Sequence, residues 1–473
     1  MNDVGGRRGT GAGAPVPGDV PERVVILSDL HIGAGRQADG RTDPLEHFHH
    51  DRELEALLDR VGGQAARRAR RAELILNGDV FDFVRVFRLP ASPAEVREWR
   101  SLLAAANVPI PVDTLRAAAA GRFSPIQRRY GYDCSEPASI WRLWLMARGH
   151  PRVLAGLARW CAAGHSLVVI RGNHDNEWAW PGVQRAFRIL LARGGCLAIG
   201  PDQLRFRLHA YRRGNLWVEH GHFIRWSTRP PGVFAAGKPR RLIMPLGSVI
   251  NRFVLNPLER LLDRAPGVPS SLHLKRLAKH QPWRLWLGVS RSALRSLPAL
   301  AGATRRVWHH HARGFWPSYA GGGLGAAVLA LPLLSHDLAA SLALDSGYRR
   351  VGAAAVALTA PSLGAVLGEI LSAARDTTRV QARGYALQRA GARAGRPDAS
   401  ERIVVLGHTH APDLHRWKLD GGHVVYANPG AWMEDPGGQA APRFFWCALR
   451  DGVYSRPRLL EIRAGGVRAR STL

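Results

Sequence analysis

The chain has 473 residues, enough for a full hydrophobic core and a second module. Lys and Arg number 66 against 37 Asp and Glu, a formal charge of +29 that points to anionic partners: phosphate esters, nucleic acid or an anionic lipid surface. The four cysteines, Cys134, Cys161, Cys196 and Cys447, lie far apart with no C-x-x-C spacing, which excludes a zinc ribbon and a disulfide framework.

Residues 1–22 are rich in Gly, Pro and Ala and read as a flexible leader. They contain no apolar stretch of signal-peptide type, so the expected location is the cytoplasm. Order is expected from the run Val24 to Leu27, which ends in the polar Ser-Asp-Leu-His and precedes a helical pattern from Leu45 to Val61. The same strand-then-polar-loop motif recurs at Glu73 to Leu76, Ser166 to Ile170, Leu216 to Val218 and Ile403 to Leu406. Further strands are expected at Arg205 to Leu208, Val424 to Tyr426 and Phe444 to Leu449. Runs apolar on both faces belong in buried sheets covered by helices, with the ligand site beyond the strands' carboxyl ends. The predicted fold class is therefore α/β, with two packed mixed β-sheets flanked by helices.

Two segments interrupt this pattern. Residues from Phe83 to His150 suggest a small helical lid. The longer one, 225–396, is basic and Ala/Leu-rich, and it separates two histidine clusters that the site requires together. It is thus expected as a helical insertion into one catalytic domain made of residues 23–224 and 397–473.

The polar blocks at the strand ends are Asp29-x-His31, Gly78-Asp79-x-x-Asp82, Gly172-Asn173-His174-Asp175, His220-Gly221-His222 and Gly407-His408-x-His410. Carboxylate, imidazole and amide groups in such a set suit divalent cations. Any one block occurs often by chance, whereas five in this order do not. The set resembles the calcineurin-like metallophosphoesterase superfamily, over about Val24 to Asp82, Leu167 to His222 and Arg402 to Trp432. The runs SDLHIG, NGDVFD, HGH, GHTHAP and YANPGAW are most similar to its UDP-2,3-diacylglucosamine pyrophosphatase branch of the lipid A pathway. Members of that branch carry Arg where this chain has His174, and their insertion is far shorter.

The resemblance implies a four-layer fold and a dinuclear site. Asp29, His31, Asp79 and His410 would hold one divalent metal, and Asp79, Asn173, His220 and His408 the other, with Asp79 bridging. Manganese is the expected ion, with iron, zinc and magnesium as alternatives. The implied reaction is hydrolysis of a phosphate ester or pyrophosphate by metal-activated hydroxide, without a protein nucleophile. His174, directly after Asn173, is the candidate general acid by its own chemistry, oriented by Asp175, for which a capping carboxylate on the following helix is the alternative role. Asp82 and His222 are expected to orient ligands rather than bind metal. The histidines of Glu46-His47-Phe48-His49-His50 are expected on a solvated helix face, and His309 to His311 on the surface.

Residues 315–335 and 351–368 carry no Asp, Glu, Lys, Arg or His and approach membrane-spanning length. Each contains a proline, so a helical cap competes with a membrane hairpin. Between Arg225 and Arg313, basic residues are interleaved with Trp226, Trp283, Trp286 and Trp308, a mix suited to the cytoplasmic face of an anionic membrane. The expected partner is a phosphorylated small-molecule or lipid substrate, with single-stranded nucleic acid the weaker reading. A protein or nucleotide phosphatase, a phosphodiesterase or nuclease, and a membrane-associated binding protein without turnover stand as alternatives.

Overall fold

The computed structural model describes residues 22–261, 377–391 and 401–472, apart from short stretches within these ranges. Its strands in chain order are β1 (Arg23–Leu27), β2 (Ala72–Asn77), β3 (Ser166–Ile170), β4 (Leu204–Arg207), β5 (Ala210–Arg213), β6 (Leu216–Glu219), β7 (Phe234–Ala235), β8 (Arg241–Leu242), β9 (Glu401–Val405), β10 (Asp413–Leu419), β11 (Gly422–Asn428), β12 (Arg443–Arg450), β13 (Val453–Arg463) and β14 (Gly466–Thr472). The helices are α1 (Asp51–Ala66), α2 (Pro93–Ala105), α3 (Val112–Ala119), α4 (Pro125–Tyr130), α5 (Glu136–Gly149), α6 (Pro151–Ala162), α7 (Pro181–Arg193), α8 (Leu246–Ile250), α9 (Asn256–Leu261) and α10 (Thr377–Gly391).

Two mixed sheets flanked by helices carry the architecture. The first has the order β14-β13-β12-β1-β2-β3-β4 and the second β10-β11-β9-β6-β5. Within the first, β1 to β4 run parallel while β12 returns antiparallel to β1. Within the second, β9 runs parallel to both β6 and β11. The chain beyond residue 400 therefore completes both sheets, supplying three strands to each, β9 to β11 in the second and β12 to β14 in the first.

The doubly apolar strands have a direct physical use. Val25, Leu27, Leu74, Leu76, Leu167 and Val169 face the helices, in one core cluster with Leu54, Leu57 and Leu157. Their neighbours Val24, Ile26, Ile75, Val168 and Ile170 face the second sheet and pack on Val218, Ile403, Val405 and Val425. Both faces of each strand are dry, so alternation of polar and apolar residues disappears. On the far side of the second sheet, Ala382, Ala386 and Ala390 of α10 lie on Val404, Leu406 and Tyr426. Small side chains at this spacing allow the helix to sit close to the strands.

Helix starts follow local chemistry. Proline occupies the first turn of α2, α4, α5, α6 and α7, where a missing N–H costs nothing. Ser124 and Gln127 form a reciprocal capping box on α4. The helical pattern expected from Leu45 begins only at Asp51, because Glu46 holds the preceding residues as a loop. Its carboxylate accepts from the backbone N–H groups of Gly33 (3.1 Å), Gly35 (2.6 Å), His47 (3.0 Å) and Phe48 (2.8 Å). His47 and His49 are consequently off the helix, and His50 is its N-cap residue. His47 is also not a solvated side chain, since its Nε2 lies 2.7 Å from the Arg85 guanidinium.

Residues 83–150 are helical but do not form a lid. Trp99, Trp141 and Leu143 are fully buried in the main core, so α2 and α5 are structural layers. Among the described residues no helix is long and apolar enough to cross a membrane. The runs 315–335 and 351–368, His309 to His311 and most of the leader lie outside the described residues.

Candidate metal centre

The five polar blocks follow β1, β2, β3, β6 and β9 and meet at one end of the two sheets. Their loops are cross-linked by backbone bonds: the Asp29 N–H donates to the Gly78 carbonyl (3.2 Å), His31 N–H to Asp79 O (2.9 Å) and Gly407 N–H to His220 O (2.8 Å). Asn77 Nδ2 donates across the sheets to Glu219 O (3.0 Å). Asp29, His31, Asp79, His408 and His410 all have positive φ, between 50° and 66°, and they are five of the seven non-glycine residues so placed among the described residues. Such conformations cost of order 1 to 2 kcal/mol each, and clustering of that strain is a feature of functional sites.

Close approach needs glycine at two points. A Cβ at Gly172 would lie 2.2 Å from Asp79 Oδ1 and 2.5 Å from its backbone nitrogen. One at Gly407 would lie 1.9 Å from Ser28 Oγ. These glycines let the loops after β3 and β9 come within ligand distance of those after β1 and β2.

Two groups of donors result, each with ligand atoms within 4.8 Å of one another: Asp29, His31 and His410, and Asp79, His220 and His408. His410 Nε2 is 3.4 Å from Asp29 Oδ1 and 3.2 Å from His31 Nε2. His220 Nδ1–H donates to Asn77 O at 2.9 Å, which leaves Nε2 as the ring atom that faces the site. That Nε2 lies 3.1 Å from Asp79 Oδ2 and 4.0 Å from Asp29 Oδ1, without hydrogen-bond alignment to either. Asn173 Oδ1 is likewise buried without a hydrogen-bond partner among the described residues. Buried nitrogen and oxygen atoms left without hydrogen bonds beside carboxylates form a mixed donor set that fits a divalent cation, which would take the place of a proton on His220 Nε2.

The charges respond to one another. Burial alone would raise the Asp29 carboxyl, but the His220 and His410 imidazoles outweigh it and hold Asp29 low. The same opposition, against His220 and His174, keeps Asp79 well below the carboxylate range. Burial pushes His220 down while Asp79 and Asp29 lift it, the carboxylates winning at about 10. His408, buried and beside His220, is pushed down to about 3 and stays neutral. The protein thus presents ionised carboxylates to the centre.

Asp82 is the orienting carboxylate that the blocks suggested, and it holds two rings. Its Oδ2 accepts from His31 Nδ1 at 2.8 Å and from His174 Nδ1 at 2.9 Å. These three residues form a third group of close donors. Asp175 does not orient His174. It caps the loop instead, accepting from the backbone N–H of Gly172 and, at 3.2 Å, of Val80. Burial and the nearby Asp79 charge raise its carboxyl to about 7. His222 also departs from the expected orienting role, because both its ring nitrogens are buried without hydrogen-bond partners among the described residues.

Several supporting residues escaped sequence reasoning. Asn428 Nδ2 donates to Gly407 O (2.9 Å) and the Trp432 backbone N–H to Asp29 O (3.1 Å). Both belong to the YANPGAW run, whose only use in the sequence was as a mark of resemblance. Trp178 packs edge-on against Phe81 and Phe83 and so fixes the loop that carries Asp79 and Asp82. A scan against protein-family models matches none, and a search of the curated proteins finds no relative of this chain.

Proposed function

We propose that this protein is a calcineurin-like metallophosphoesterase: a four-layer, dinuclear-metal hydrolase that cleaves a phosphate ester or pyrophosphate bond. The observation that carries the reading is the meeting of four separate strand-end blocks in two adjoining donor groups built on Asp29 and Asp79, with the fifth block supplying His174 to a third group beside them. Asp29, His31 and His410, with Asp79, would hold one ion; Asp79, Asn173, His220 and His408 the second. Bound divalent cations would supply Lewis acidity, neutralising phosphoryl oxygens and making water nucleophilic near neutral pH.

The chain's own contribution to proton transfer is His174. Burial disfavours its charge, yet Asp82 and Asp79 outweigh this and raise it to about 9, so it carries a proton at neutral pH. Nδ1 is committed to Asp82 at 2.9 Å, which leaves Nε2 as the position from which a proton reaches a departing oxygen. His174 is still partly exposed, at 12%, and open to a ligand. Asp82 links this acid to the donor group through His31.

For the substrate we favour a phosphorylated small molecule or lipid, of the UDP-sugar-lipid type, met at an anionic membrane surface. The support is sequence chemistry: seventeen Lys and Arg against two acids from 225 to 313, with interleaved Trp residues. The test is hydrolysis by purified protein with manganese, comparing a diacylated UDP-sugar, aryl phosphate mono- and diesters, and single-stranded DNA, with Asp79→Ala as the blank. Metal-dependent cleavage of the lipid-linked pyrophosphate alone supports the full reading. Cleavage of only the small esters or DNA retains the hydrolase and removes the lipid substrate, and no turnover on any of them refutes the reading.

A further inference from the structure

The first part of the long basic segment is built into the site. Ile243 O accepts from Asn176 Nδ2 (3.5 Å), and Ser248 Oγ–H donates to Asn173 O (2.8 Å). A π-helical turn, Asn251–Leu255, follows α8. Within it Arg252, 2% exposed, donates to three backbone carbonyls, those of Phe83 (3.3 Å), Tyr130 (2.8 Å) and Tyr132 (2.6 Å). Asn256 Nδ2 then donates to Val84 O (3.1 Å), and Glu259 pairs with Arg85. Ser248 and Asn256 are fully buried. Between these anchors Asn251 is partly exposed, and its Nδ2 lies 3.4 Å from His174 Nε2.

Asn251 therefore meets the one ring nitrogen of His174 that Asp82 does not hold. A π-turn widens the helix by one residue and is frequent at functional sites; here it places Asn251 toward the histidine while Arg252 is buried. We propose that Asn251 is a positioning residue for His174: its carboxamide fixes the rotation of the imidazole so that the Nε2 edge points at the site. Either end of the carboxamide serves, since Nδ2–H donates to a neutral ring and Oδ1 accepts from a protonated Nε2, and at 3.4 Å the contact is long enough for a departing oxygen to displace the amide and take the proton. The partner groups on both sides of Asn251 are buried, so the amide is held by the segment rather than by its own flexibility. The catalytic consequence rests on the proposed function, whereas the positioning itself does not.

The test uses full-length Asn251→Ala, Asn251→Ser and Asn251→Gln, with folding checked by circular dichroism. Histidine-selective 15N labelling, with His174→Gln to assign the resonance, reads the ring directly. The expected result is a shifted His174 Nε2 resonance in Asn251→Ala and Asn251→Ser, with recovery in Asn251→Gln. In kinetics, kcat on an ester with a poor leaving group falls about tenfold, while KM and kcat on a good leaving group stay close to wild type. An unchanged Nε2 resonance, or equal loss of kcat on both leaving groups, overturns the proposal. If the wild-type protein hydrolyses none of the esters, the resonance alone decides the positioning, and the hydrolase reading fails separately.

Discussion

His174 has Asp82 on one ring nitrogen and Asn251 near the other, a placement suited to a proton donor. His174→Gln is expected to lower kcat about 100-fold on alkyl phosphates and to leave aryl esters with good leaving groups nearly unchanged, read from a leaving-group series. A second buried histidine carries a pH dependence of stability instead. His150 places Nδ1 2.9 Å from Asp51 and Nε2 3.1 Å from Glu46, so both nitrogens donate and the ring is charged. Burial opposes that charge, but Glu46 and Asp51 raise His150 from 6.5 to about 9. A raised histidine contributes fully below its unfolded value and loses its contribution as pH rises through the folded one. Glu46, which burial would raise and His150 lowers from 4.5 to about 2, contributes fully above 4.5 and fades as pH falls toward 2. The pair, counted once, is worth of order 3 kcal/mol. Denaturant midpoints should therefore decline between about pH 6.5 and about pH 9 in the wild type, and His150→Gln should flatten that decline.

At the scale of elements, the Gly-rich loops after β3 and β9 and the segment from β8 to α9 position the centre. The docking of α9 is testable apart from catalysis. Arg85 is buried at 5% exposure between Glu259, Asn256 Oδ1 (3.2 Å) and Leu45 O (3.0 Å). Glu259→Ala leaves this guanidinium without its carboxylate and should cost about 3 kcal/mol, measured by chemical denaturation. A loss below about 0.5 kcal/mol would mean that α9 does not depend on the pair. The five strands that feed the site were readable because their runs are apolar throughout. Edge strands β5, β10 and β14, and β13 next to the edge, were not, since residues such as Arg212, Arg416 and Arg458 break any apolar run. The start of α1 was also misplaced, because the loop held by Glu46 keeps Leu45 and Phe48 buried, as a helix would.

Across the whole molecule, the centre joins two sheets and both ends of the described chain. A cation bound there ties β1, β2, β3, β6 and β9 together and favours the folded state by mass action. Manganese at about 100 times its dissociation constant should add about 2.7 kcal/mol of stability, and chelation should remove it, read as a shift of the thermal midpoint. Asp79→Ala should abolish most of the shift, since Asp79 would serve both ions. An equal shift in wild type and variant would place the ion elsewhere. Between sheet and sheet the middle of the interior is apolar, with Val218, Ile403 and Val425 against Ile26, Ile75 and Val168, while at the start of β2 the buried Glu73 accepts from Tyr211 Oη–H. The polar chemistry is thereby confined to the strand ends.

The sequence by itself determined which residues gather as candidate metal donors and that they follow strands, because donor chemistry and apolar runs are local properties. It also showed that residues beyond 400 must return to the same domain, because a donor set split over the chain is useful only when closed. Tertiary structure alone decided the partners. Asp82 rather than Asp175 reaches His174, and Asn428, Trp432 and Asn251 arrive from distant segments, because such contacts depend on how the sheets and loops pack and not on neighbouring residues in the chain.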